Sequence, residues 1–192
     1  MIRVLRVAAV LVAVPACKTT EPVDMEAAMA RMMELAQPVS HHDHLARMAG
    51  DWNCDMTYWM EPGAEPSAMT GTSKYAMVLG GHYLEQTFHG DFQGQPFEGR
   101  GLMGFDTARG EYWSTWMDNF STFMMPFAYG TCSDDGQEIR LEAEWHNPFV
   151  DREQHDRQTL KWVDANHFTF DVHTRIGGDD EYHAMHIDFR RQ

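Results

Sequence analysis

From Trp52 to Arg190 apolar and polar residues alternate in short runs. Trp52, Cys54, Met56 and Tyr58 share one face of such a run, as do Ile139, Leu141, Ala143 and Trp145, and again Phe168, Phe170 and Val172. A two-residue period is that of a half-buried strand. Ten runs can be marked, at about 52–60, 67–79, 82–90, 96–106, 111–118, 121–132, 138–146, 154–163, 167–175 and 181–190. The segments between them, among them EPGAEP, LGG, DTARG and GGDD, have the composition of turns. Ten consecutive antiparallel strands with one apolar face close most economically into an up-and-down barrel, which leaves no edge exposed. A barrel of this strand number is wide enough to enclose a cavity. The fold class expected is therefore all-β, an antiparallel up-and-down barrel over residues 50–192.

A different period precedes it. Met25, Met29, Met32, Met33 and Ala36 recur at helical spacing between Asp24, a candidate N-cap, and Pro38. A second short helix is predicted from His41 to Ala49, with Ser40 and Asp43 in the form of a capping box and Gly50 as its stop. Residues 24–49 thus read as N-terminal helices. On the second of them His41 and His44 are three apart, but zinc normally takes three or four protein ligands and no third one is evident. The histidines read as a solvated cluster, and no metal site is predicted.

The first sixteen residues, MIRVLRVAAVLVAVPA, set two arginines ahead of an apolar run, the pattern of a signal peptide that is too short to span a bilayer. The following VPAC resembles a bacterial lipobox, which implies cleavage before Cys17, lipid on Cys17, and a tether over residues 17–23; the alternative is a plain signal peptide cut near Ala16, with Cys17 incidental. Lys18 after the cysteine resembles outer-membrane sorting. The expected location is the cell envelope, on the periplasmic face of the outer membrane, with membrane contact through the lipid alone. The 43% hydrophobic content of the 192 residues can supply a core. Loss of Arg3 and Arg6 with the leader would deepen the net charge of −14 to −16, and such a surface repels nucleic acid. With Cys17 lipidated, Cys54 and Cys132 are left as a possible disulfide in an oxidising compartment.

The runs LARMAGDW, MVLGGHYLEQTFHGDFQGQPFEGRGLMGFD and YWSTWMDNFSTFMM together resemble the bacterial family catalogued as domain of unknown function 1579, over roughly His42 to Arg190. The resemblance implies a lipocalin-like, calycin-type barrel and no particular activity. It also implies that AGDW is the entry from helix to first strand, with Gly50 permitting the turn and Trp52 plugging one end of the barrel.

Candidate chemistry is sparse. Ser114 and Asp118 in STWMDN lack the elbow of a serine hydrolase, and no histidine has a predictable place beside them. Gly99, Gly101 and Gly104 fall inside a strand, where coiling of the barrel accounts for them. Haem-binding barrels related to the calycins use a late-strand histidine as axial ligand, for which His183 or His186 is the candidate by position; alternation puts His183 on the face of Met185, Ile187 and Phe189, and His186 on that of Asp188 and Arg190. The candidate lining of a ligand cavity is Trp52, Met56, Tyr58 and Trp116 for apolar contact, and Glu85, Arg100, Asp118 and His183 for polar contact. The function expected is binding of a small apolar molecule without catalysis and without a cofactor. The alternatives are a hydrolase or isomerase using interior acids or histidines, a haem-binding barrel, and a structural envelope protein filled by its own side chains.

Overall fold

A computed structural model describes residues 22–192. The leader, Cys17 and most of the tether lie outside the described residues. The chain divides after Glu34 into two compact units, and its first helix, α1, spans Met25–Leu35. Asp24 caps it: its Oδ1 accepts from the backbone N–H groups of Glu26 and Ala27, both at 3.1 Å. No residue of α1 is buried, so the methionine stripe is exposed.

From Leu35 onward the chain forms α2 (Ser40–Ala46) and ten strands: β1 (Gly50–Tyr58), β2 (Ser67–Val78), β3 (Tyr83–Phe92), β4 (Gln95–Asp106), β5 (Glu111–Asp118), β6 (Ala128–Cys132), β7 (Glu138–Asn147), β8 (Arg152–Asp164), β9 (His167–Ile176) and β10 (Tyr182–Arg191). Every strand pairs antiparallel with its sequence neighbours, and β10 pairs with β1 to close the barrel. The expected architecture is the observed one. Only the sixth strand differs materially from its predicted run. Residues 121–127 leave the sheet because Pro126 has no N–H to give a ladder, and the segment is tied instead by Met125 N–H to Trp116 O at 2.7 Å and by the Thr115 hydroxyl to Met125 O at 2.7 Å.

Up-and-down connectivity sends alternate loops to opposite ends. At the end where β1 begins, α2 and the turn after it bury Leu45 and Met48 in one core cluster with Trp52, Trp162, Phe168 and Phe189. Trp52 is fully buried, its Nε1 donates to Met48 O at 2.8 Å, and its ring meets Phe168 edge-on at 4.7 Å. Arg191 closes this end: its guanidinium lies 4.2 Å over the Trp52 ring and donates to Ala49 O and Arg47 O. Gly50 has φ +137°, a backbone conformation that favours glycine, and the absence of a Cβ leaves room for the Arg191 guanidinium, whose Nη1 would lie 2.4 Å from one.

The histidine-rich stretch is not solvated as predicted. His42 is buried, and its Nδ1 accepts from Val39 N–H at 3.0 Å, taking the place of the expected Ser40 and Asp43 box. His41 and His44 converge instead on the hydroxyl of buried Tyr112, at 2.9 and 2.8 Å, and His41 stacks on Phe105 at 4.0 Å. They dock the helix onto the barrel.

The possible disulfide is not formed, and the reason is topological. In a ring of ten strands β1 and β6 are five steps apart in either direction, on opposite walls. Cys54 and Cys132 are both free thiols, and no local shift would bring their Cα atoms within the roughly 7 Å a bridge needs.

Candidate functional site: the barrel cavity

Away from α2 the barrel is not filled. A cavity of about 390 Å³ runs down its interior. Its walls are aromatic and sulfur-rich: Met56 and Tyr58 from β1, Phe88 and Phe92 from β3, Met103 from β4, Trp116 from β5, Met185 and Ile187 from β10. It reaches the end opposite α2, where Phe120 is both lining and 47% exposed.

The glycines of β4 have a packing role that coiling alone does not explain. The register pairs Gly101 with Trp116, and the indole lies across the glycine surface, so that a Cβ at Gly99 would fall 2.0 Å from Trp116 Cζ2. On the other face Gly104 makes room for Trp113 in the same way, at 2.7 Å. Each absent side chain lets a large ring lie flat against the wall.

Polar groups enter the cavity at few points. Asp156 on β8 is 9% exposed and accepts from Trp145 Nε1 at 2.9 Å, Gln154 Nε2 at 2.7 Å and the Thr174 hydroxyl at 2.7 Å. Three donors satisfy a carboxylate that the apolar surroundings would otherwise penalise. Gln158 Oε1 accepts from Ser114 at 3.1 Å, and Gln86 Nε2 donates to Ser73 Oγ at 2.8 Å. Near the rim Asp118 accepts from Trp116 Nε1 and from Phe120 N–H, both at 3.0 Å.

Of the predicted lining, Met56, Tyr58, Trp116 and Asp118 meet around the cavity. The other four do not. Trp52 is sealed into the plugged end. Glu85 and Arg100 stand on the outer face, 3.4 Å apart and exposed, because they alternate with the inward residues Leu84, Gln86, Gly99 and Gly101. His183 is outside because the register between β9 and β10 shifts at His183/Met185, and this bulge reverses the alternation on which the interior assignment rested. Sequence reasoning missed Gln86, Asp156 and Gln158. For the last two the signal was present, since counting back in twos from Trp162 and Leu160 leads to Gln158 and Asp156.

On the outer face of β9 and β10, His183 Nε2 and His186 Nδ1 lie 2.9 and 2.7 Å from the same oxygen of Asp171. His186 Nε2 lies 3.3 Å from Asp188, whose other oxygen meets His167. Burial opposes charge on His186, but the two carboxylates prevail and its pKa is raised. Burial likewise opposes charge on Asp188, and His167 and His186 hold its pKa down.

The sequence matches the family model described as protein of unknown function (DUF1579) over residues 37–191. The chain belongs to the DUF1579 family. No curated protein matches it. Among solved structures it is similar to Rv2717c from M. tuberculosis, with 16% identity, TM-score 0.58, and coverage of 81% of this chain and 99% of that one. It is also similar to the S-type phycobiliprotein lyase CPES from Guillardia theta, with 10% identity, TM-score 0.59, and coverage of 84% and 96%. These likenesses establish a shared barrel fold. The matched DUF1579 region takes in α2, the plug and all ten strands.

Proposed function

We propose that this DUF1579 protein binds a small, largely apolar molecule in the barrel cavity without transforming it. The observation that carries the reading is the cavity itself: about 390 Å³, walled by aromatic and methionine side chains, with a few polar groups at defined points. Gln158, Ser114 and Gln86 would orient one polar end of such a ligand. Turnover is not part of the proposal, because the two lining carboxylates, Asp118 and Asp156, are each occupied by hydrogen-bond donors and neither is bonded to a histidine or to the other. Haem is not part of it either, since no histidine lines the cavity among the described residues and His183 faces outward.

Titration with the neutral fluorophore N-phenyl-1-naphthylamine tests the reading. Saturable one-to-one binding by the wild-type chain, reduced at least about tenfold in an Ala143→Phe variant that fills the cavity, is the expected result. No binding by wild type, or equal binding by both, would overturn it. The proposed location is the cell envelope, with lipid on Cys17. Incorporation of labelled palmitate that is lost in Cys17→Ser supports that location, and no incorporation by wild type refutes it.

A further inference from the structure

His183 and His186 are three residues apart on β10, a spacing that strict alternation would send to opposite faces of the sheet. The bulge between His183 and Met185 brings both imidazoles to the outer face, over Asp171 of β9. Bulges commonly re-aim a side chain beside a functional site. One nitrogen from each ring and one oxygen of Asp171 lie within 4.8 Å of one another. The three side chains are 24–35% exposed, open enough for an ion to enter and enclosed enough to be held in place.

The surroundings fix these rings further. Trp59 and His173 both stack on His183, at centroid distances of 4.7 and 4.6 Å. His186 is held from behind by Asp188, the arrangement in which a carboxylate orients a metal-binding imidazole through its second nitrogen. His173 adds an imidazole whose buried Nδ1 has no hydrogen-bond partner among the described residues. The net charge of −14 favours cations over the whole surface.

We propose that Asp171, His183 and His186 form a site for a divalent transition-metal ion of the zinc type, bound by two imidazole nitrogens and one carboxylate oxygen. The ion takes the place of the protons now shared with Asp171. Two imidazoles and a carboxylate suit zinc, cobalt and nickel better than calcium or magnesium, which prefer oxygen throughout. Three protein ligands leave at least one position for water or another small ligand.

The test is titration of the metal-free full chain with Co²⁺ at about pH 8, where unperturbed imidazoles are neutral. Expected are one tight equivalent with a visible absorption band, displacement by Zn²⁺, and saturable quenching of Trp59 emission. His183→Ala and His186→Ala should each weaken binding at least about a hundredfold, and Asp188→Asn about tenfold. Trp59→Phe should remove the quenching while the absorption titration persists. His146→Ala, a histidine flanked by two other carboxylates, should leave both unchanged. The proposal fails if wild type shows no saturable binding, or if the His183 and His186 variants bind as wild type does. Should a histidine variant not fold, Asp171→Asn, which preserves size and hydrogen bonding, takes its place: weakened binding supports the site, and wild-type binding overturns it.

Discussion

The two ends of the barrel are built from similar residues and put to opposite uses. At the plugged end Trp52, Phe168 and Tyr112 are fully buried, a helix covers them, and Arg191 is seated on the Trp52 indole. At the other end Met60, Phe120, Met124 and Phe149 are between 47% and 75% exposed, and Phe120 lines the cavity. An aromatic residue stabilises in proportion to the surface it loses to its neighbours. One end therefore holds the fold together, and the other leaves apolar surface exposed to solvent.

Truncating one aromatic at each end tests this division of labour most directly. Trp52→Ala should cost about 3–5 kcal/mol in urea unfolding, whereas Phe120→Ala should cost less than about 1 kcal/mol and instead weaken binding of the fluorophore. Equal losses would mean that the mouth also supports the fold. Between the ends, Gly99→Ala forces Trp116 off the wall and into the cavity. A destabilisation of about 1–3 kcal/mol is expected, together with weaker fluorophore binding.

Thiol labelling probes the two ends through accessibility. Burial, aided by the charge of Asp55, pushes the Cys54 pKa up to about 12. Cys54 should therefore react with iodoacetamide at pH 8 at least about a thousandfold more slowly than a Phe149→Cys thiol at the mouth, and its labelling should follow global unfolding. The smallest effect concerns pH. Burial, with the charges of His44 and His42, lowers the His41 pKa. The unfolded chain then binds more protons than the folded one between the lowered value and 6.5, so this group makes stability fall as pH drops through that window. Wild type should lose stability relative to His41→Asn between about pH 7.5 and 5.5 in paired urea titrations, and the opposite slope would contradict the docking role given to His41.

The barrel was legible in the sequence because its cause is local. Apolar alternation in runs such as Ile139 to Trp145 states both the strand and its inner face, and the turns between runs carry the residues that turns require. The cavity was legible where the pleat was undisturbed, as at Met56 and Tyr58. His183 was misplaced because a bulge is set by the pairing of two strands and leaves no mark in either one. Glu85 and Arg100 were misplaced for a different reason. Leu84 and Phe88 already fix the inner face of β3 and send Glu85 outward, while the inward neighbours of Arg100 are glycines, which carry no apolar signal to alternate against. The roles of His41 and His44 depended on Tyr112, some seventy residues away, which no local pattern connects to them.

The short sixth strand gives the wall a seam. β5 and β6 share three paired positions and β6 and β7 four, whereas every other neighbouring pair shares at least seven. A hoop under tension parts at its thinnest stave. Amides of Ala128 to Cys132 should exchange with solvent ahead of those in other strands, because fewer ladder bonds hold this part of the wall closed.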